Sequence, residues 1–210
     1  MKRQVSASVI NRMPRYYRYL GELMALGINR ISSKALSEKM NTTASQIRQD
    51  LNCFGGFGQQ GYGYNVQTLH EEIGKILGLD NKKTAILVGV GNMGRALVLN
   101  TNFEKRGFRL IGIFDTAPEK IGKKVGDYEI LDYKKIEAFI SEKKPQMAIM
   151  AVPKTNANRV ANELEGMGIK AFLNFSYAEL DIKEGVAVEN IHLSDSLMRL
   201  SYKMHEQEKE

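Results

Sequence analysis

A strand, a glycine turn and a helix run together without a gap in this chain, and they constrain its fold more than any other feature. Thr84-Ala-Ile-Leu-Val88 reads as a buried strand, Gly89-Val-Gly-Asn-Met-Gly94 follows at once, and a helix is predicted over residues 95–103. The spacing gives the glycines separate roles. Gly89 permits a tight turn, Gly91 lets backbone approach a pyrophosphate, and Gly94 lets helix pack on strand. The N–H groups that open the helix then face the phosphates. A second strand, Arg109-Leu-Ile-Gly-Ile-Phe-Asp115, ends in a carboxylate 21 residues beyond Gly94. Asp115 can accept both ribose hydroxyls of a dinucleotide and would repel a 2′-phosphate, which favours NAD(H) over NADP(H).

Strand and helix patterns continue to alternate downstream. Strands are predicted at 130–131, 147–152, 171–174 and near 186–188, with helices at 133–142 and 156–167. That rhythm predicts an α/β domain of Rossmann type, with a parallel sheet, over residues 83–192. Ligands bind at the carboxyl edge of such sheets, so Ala151-Val152-Pro153 and Asn174-Phe175-Ser176 are expected over the nicotinamide half.

Charge is concentrated ahead of this region. Residues 1–70 carry nine Lys or Arg against three acids, so the whole formal excess of +6 falls there. A basic segment joined to a neutral one predicts that only the first part meets a polyanion. Val9, Ile10, Met13, Tyr16, Tyr17, Leu20, Leu23 and Met24 recur at three- and four-residue spacing, giving an amphipathic helix that ends near Gly27. Ser32 or Ser33 can cap a short second helix that buries Ala35, Leu36 and Met40, and Asn41-Thr42-Thr43 makes the turn after it.

The third helix, over 44–54, buries Ile47 and Leu51 and leaves Ser45, Gln46, Arg48 and Gln49 outward, a face that the major groove of DNA admits. Arg48 suits the O6 and N7 of guanine, whereas Gln46 and Gln49 suit adenine. The glycine-rich stretch 55–64 predicts two short strands with Gln59, Gln60 and Tyr62 at the tip. A helix-turn-helix followed by such a ribbon is a winged helix, here over residues 1–80 and closed by a helix at 66–79. Cys53 reads as a small buried apolar residue.

In the last segment, 193–210, Leu193, Leu197, Leu200 and Met204 share one helical face after the sheet is complete. Such a stripe needs another surface, and a partner subunit is the natural candidate, with packing on the chain's own domain as the alternative. A single cysteine fits a reducing cytoplasm, and Arg12, Pro14, Arg15 and Arg18 interrupt the first apolar stretch, so no signal peptide is expected. Catalysis is not expected, because no Tyr-x-x-x-Lys pair occurs and His70, His192 and His205 form no recognisable catalytic set. A regulator of coenzyme A or another nucleotide would share the phosphate turn, but Asp115 favours a dinucleotide ribose.

Several motifs carry a further inference: Ile31-Ser-Ser33, Ile47-Arg-Gln-Asp-Leu51 running into Phe54-Gly, the wing at 58–64, the 89–94 turn, Phe114-Asp115 with Pro118-Glu-Lys120 and Gly122, and Asn174-Phe175. With them the chain resembles the Rex family of redox-sensing transcriptional repressors over nearly its whole length. The resemblance implies a homodimer that binds a palindromic operator in double-stranded DNA when NADH is scarce and lets go when NADH binds, with NADH and NAD+ as its ligands. It implies that the final helix is exchanged between subunits and lodges between the partner's domains.

The resemblance puts Asn92, Met93, Arg95 and Ala96 in the pyrophosphate turn and Asp115 on the adenosine ribose, with Lys120 among the cofactor contacts. It gives Arg12 a part in both DNA contact and sensing, and adds Ser32, Ser33 and Thr43 to the DNA-facing set. The chain departs from the family pattern in four places. Asn100 stands where many members have tyrosine and His192 where many have aspartate, both in the relay that reports NADH. Gln59-Gln60 stands where Lys-Arg is common, and Gln49 where lysine is frequent.

Overall fold

In the computed structural model, which describes residues 5–55, 58–59 and 62–209, the chain divides into two units between Asn81 and Lys82. The first unit runs α1 (Ala7–Ala25), β1 (Arg30–Ile31), α2 (Ser33–Met40), α3 (Ala44–Asn52), β2 (Gly58–Gln59), β3 (Gly63–Asn65) and α4 (Val66–Ile76). Helix α1 buries Val9, Met13, Tyr16, Leu20 and Leu23, residues whose spacing predicted it. Side-chain caps start the shorter helices: Ser32 Oγ accepts from Ala35 N–H at 3.0 Å, and Thr43 Oγ1 from Gln46 N–H at 3.1 Å. Each such cap stabilises by about 1 kcal/mol.

Strand β3 pairs antiparallel with both β2 and β1 in the order β1-β3-β2. The two-residue β1 was not predicted, because a strand that short carries no period to read. Helix α4 stops at Ile76 rather than 79: Gly78 takes φ +68°, and Leu79 N–H turns back to the Gly74 carbonyl. Gln60 lies outside the described residues.

The second unit runs β4 (Lys83–Val88), α5 (Asn92–Asn100), β5 (Phe108–Asp115), β6 (Lys124–Val125), β7 (Tyr128–Asp132), α6 (Ile136–Lys143), β8 (Met147–Met150), α7 (Lys154–Gly166), β9 (Ala171–Asn174), β10 (Ala187–Asn190) and α8 (Leu193–Gln207). The sheet order is β10-β9-β8-β4-β5-β7-β6, parallel throughout except for the edge strand β6. Strand β4 lies between β5 and β8, so the crossovers leave it in opposite directions and open a crevice at its carboxyl end. Alternate residues of β4 serve the two faces: Ile86 and Val88 join the core that contains α6 and α7, while Ala85 and Leu87 join the core beneath α5.

Helix α5 begins at Asn92, three residues earlier than predicted, so part of the glycine turn is already its first turn. Over β8, β9 and β10 the α5 side of the sheet is bare, leaving a groove of about 740 Å3 whose lining includes Phe103, Met147, Ile149 and Leu173. Helix α8 carries the predicted stripe in the open: Leu193, Leu197, Leu200 and Met204 are each more than half exposed. Met198 and Tyr202 extend the apolar surface beyond that stripe.

Candidate functional site

The turn after β4 meets the spacing argument atom by atom. Gly89 adopts φ +94°, and a Cβ there would sit 2.5 Å from the Ala151 carbonyl oxygen. A Cβ on Gly94 would collide with the Gly89 carbonyl oxygen, so only glycine lets α5 seat against the strand. At Gly91 a Cβ would meet nothing within 4 Å, which leaves the turn open for a ligand's approach. Asn92, Met93 and Gly94 form the first turn of α5, whose N–H groups have no acceptor within the helix.

Asp115 closes β5 and is 6% exposed. Its Oδ2 accepts from Val90 N–H at 2.8 Å and Lys120 Nζ at 2.9 Å, and its Oδ1 accepts from Ala117 N–H at 2.9 Å. Burial alone would raise its pKa, but the bonds from Ala117, Lys120 and Val90 outweigh burial and hold the carboxyl below its ordinary value. The bond from Val90 also ties the ends of β4 and β5 together. A carboxylate offers about four acceptor positions, so Asp115 keeps capacity for a ribose hydroxyl.

Around this turn lies a cleft of about 550 Å3, within the usual range for ligand sites. Of the predicted cofactor residues, Gly89, Gly91, Asn92, Met93, Asp115 and Lys120 line it, as do Ala151, Val152 and Pro153 from the end of β8. Gly94 is buried behind the turn, while Arg95 and Ala96 lie on the exposed side of α5, outside the lining.

Asn174 requires a correction: it is fully buried and does not reach the cleft. Its Nδ2 donates to the Ala178 carbonyl at 2.7 Å and to Asn190 Oδ1 at 2.8 Å, and its Oδ1 accepts from Ser176 N–H and Oγ. It therefore builds the turn after β9, and that turn presents Phe175 and Tyr177 to the cleft. Sequence reasoning placed Phe175 there, together with Ser176, which is buried and outside the lining; it missed Tyr177, along with Tyr133, Asn156 and Arg159. The carboxyl-edge rule could have found Tyr133, which follows β7, and Tyr177, which follows β9. Asn100 is exposed and bonds back to the Ala96 carbonyl within its own helix, whereas His192 stacks on Tyr177.

In the first unit, Arg48 Nη1 donates to Ser33 Oγ at 3.2 Å, joining α2 and α3 on one exposed face with Ser45 and Gln49. Ser32 and Thr43 sit at that face as caps, and Tyr62 on the wing is 70% exposed. Arg30 Nη1 anchors the wing by donating to the Tyr62 carbonyl at 3.3 Å.

Two predicted DNA contacts turn inward instead. Asp50, fully buried, accepts Arg12 Nε at 2.6 Å and Nη2 at 2.7 Å, Tyr16 Oη at 2.7 Å and Gln46 Nε2 at 2.7 Å. Gln46 lies one helical turn before Asp50 and is drawn to it rather than outward. Burial would raise the Asp50 pKa, but the bonds from Arg12, Tyr16 and Gln46 together bring it below its ordinary value.

A winged helix joined to a sheet with a nucleotide-binding turn defines a class of ligand-responsive DNA-binding regulators. The family description "Putative DNA-binding protein N-terminus" matches residues 4–52, and "CoA binding domain" matches residues 80–178. The chain belongs to the Rex family of redox-sensing transcriptional repressors. A redox-sensing transcriptional repressor Rex from Thermoanaerobacter pseudethanolicus is 52% identical over 207 residues, covering 99% of this chain and 92% of that one. Another from Clostridium perfringens strain SM101 is 51% identical over 201 residues, covering 96% and 95%.

Two solved structures of the protein RSP are also similar. One, in complex with β-NAD+ and operator DNA, matches with a TM-score of 0.90 at 52% identity over 98% of this chain and 94% of that one. The other, in complex with β-NADH, matches with a TM-score of 0.88 at 49% identity over 97% and 96%.

Proposed function

We propose that this chain is a repressor that holds a palindromic operator as a homodimer when NADH is scarce and releases it when NADH binds. One observation carries the reading: the glycine turn and Asp115 frame a cleft in the same chain whose α3 presents Arg48 and Gln49 on an open face. The open space at Gly91, the α5 amides and the spare acceptor capacity of Asp115 fit a dinucleotide. The RSP structures hold NAD+ with operator DNA in one case and NADH in the other, which favours a dinucleotide over coenzyme A.

The homodimer is supported by the bare apolar residues of α8 and the apolar groove over β8 to β10, since exposed surfaces of this kind mark association sites. Two recognition helices in a dimer match half-sites a whole number of helical turns apart, so a change in their spacing or angle releases the duplex. A ligand shifts such an equilibrium only through differential affinity, so NADH must bind the DNA-free form more tightly than the operator-bound form. No described helix is long and apolar enough to cross a membrane. That fact and the single cysteine support a cytoplasmic regulator.

The test is fluorescence anisotropy on a palindromic duplex selected from random DNA. Saturating NADH should lower the affinity, while NAD+ and coenzyme A should not; unchanged affinity in NADH would defeat the reading. Asp115→Ala should weaken NADH binding by about tenfold or more in calorimetry while operator affinity without ligand is kept. Arg48→Ala should cost operator binding about 1–3 kcal/mol with NADH affinity intact, and the opposite pattern would reverse the assignment of the two units.

A further inference from the structure

The carboxyl edge of the sheet carries the cleft residues in strand order. The glycine turn follows β4, Asp115 ends β5, and Asp132, its partner in the sheet register, ends β7. Tyr133 is the next residue and lines the cleft. With the pyrophosphate at the turn and a ribose on Asp115, the base on that ribose falls beside Tyr133.

Tyr133 is held at both ends. Asp132 Oδ1 fixes the backbone by accepting from Lys134 N–H at 2.9 Å, and the Tyr133 hydroxyl donates to Glu163 Oε2 at 2.8 Å. Burial, and then this bond, push the phenol pKa up, so the hydroxyl keeps the proton it donates. The other oxygen of the same carboxylate, Oε1, accepts from Arg159 Nη1 at 2.7 Å. Glu163 is outside the cleft lining, yet Tyr133 and Arg159 are both part of it. Arginine one turn before glutamate is the weaker order for stabilising a helix, so support of α7 does not account for the pair. What the carboxylate does achieve is to hold two cleft side chains, from separate elements, in one arrangement.

On the dinucleotide reading above, we propose that Glu163 is a positioning residue for the base: it presets the Tyr133 ring and the Arg159 guanidinium so that the outer end of the cleft selects a purine. An aromatic face attracts any base by stacking, and a purine, with two fused rings, covers more of it than a pyrimidine. A guanidinium also stacks, and its N–H groups suit the acceptor nitrogens of a purine. Holding both groups in place before the ligand arrives removes the ordering cost from binding. Without the carboxylate, ring and guanidinium must be ordered by the ligand, and a base that uses both loses more than one that uses little of either.

Calorimetry on the full-length protein compares NADH with the reduced dinucleotide that carries cytosine in place of adenine. Wild type should prefer NADH by about a hundredfold. Glu163→Ala should shrink that preference about tenfold, by weakening NADH while the cytosine dinucleotide changes by less than about threefold. Tyr133→Phe, which keeps the ring and loses its tie, should shrink it in the same direction. The double variant Tyr133→Phe, Glu163→Ala should lose no more than Glu163→Ala alone, because hydroxyl and carboxylate act as a unit. Operator affinity without ligand should stay within about threefold in every variant, which reports that the fold is kept.

An unchanged preference in Glu163→Ala, an equal loss for both dinucleotides, or losses that add in the double variant overturns the proposal while leaving the dinucleotide reading intact. So does a wild type that binds both dinucleotides alike. A wild-type protein that fails to bind NADH overturns both.

Discussion

Gly94→Ala is expected to weaken dinucleotide binding by about a hundredfold or more while leaving the winged-helix unit folded. The added methyl would strike the Gly89 carbonyl oxygen and lie 3.3 Å from the Leu87 side chain. The first obstacle is backbone, which cannot rotate away, and Gly89 is itself held by Phe114, whose carbonyl accepts its N–H at 2.8 Å. Helix α5 must therefore withdraw from β4. Overpacking of this kind costs about 1–3 kcal/mol of stability and displaces the amides of Asn92 and Met93 from the phosphate position. A misplacement of about 1 Å in such a cradle is worth roughly a hundredfold.

Calorimetry should then detect NADH binding weakened by about a hundredfold or more, equivalent to about 2.7 kcal/mol. Operator affinity without ligand should persist, since the core of the first unit contains none of these residues. The variant would thus become a repressor deaf to NADH. Retention of tight NADH binding would show that the phosphates are held elsewhere.

Some of this site is legible in sequence because it is local. The glycine turn and Asp115 are fixed by spacing within a single strand-turn-helix-strand unit, and the three glycine positions are where the structure has no room, or no need, for a side chain. Asn174 shows where such reading stops. Its place at the end of β9 follows from topology, but its inward direction depends on Ala178 and Asn190, which come together only in the folded sheet. Gln46 failed for a similar reason. The helical period put it beside the outward face, yet the buried Asp50 one turn on draws it in.

Tyr133, Arg159 and Tyr177 reach the cleft from three different crossovers. No window of sequence contains them together. Only the strand order, in which β7 and β9 flank the central run β5-β4-β8, brings them to one edge.

Arg12→Ala is expected to destabilise the first unit by about 1–3 kcal/mol, the cost of leaving a buried carboxylate short of hydrogen bonds when the lost partner is itself a third exposed. Asp50 is fully buried, and Arg12 supplies two of its four hydrogen bonds. Without the guanidinium, Tyr16 and Gln46 are left as the side-chain partners of the carboxylate. Urea unfolding should report the loss, and Arg12→Lys should recover only part of it, because an ammonium cannot make the paired contact of a planar fork. Replacing both partners with apolar residues, Arg12→Met with Asp50→Leu, should recover most of it.

The linkage with pH has a definite sign. The folded Asp50 pKa lies below its ordinary value of 3.8, so the ionised form favours the folded state. That contribution is complete above the unfolded pKa and is lost as pH falls from about 4 through the folded value. Arg12→Ala should therefore flatten the acid side of the stability profile.

The same variant decides whether Arg12 touches DNA. As a strut between α1 and α3 it would lower operator affinity by loosening the recognition helix, with the slope of log affinity against log salt unchanged. As a phosphate contact its loss would reduce that slope by about one. The structure favours the strut, since Nε and Nη2 of Arg12 are both committed to the buried Asp50, whereas Arg48 joins Ser33 on the exposed face.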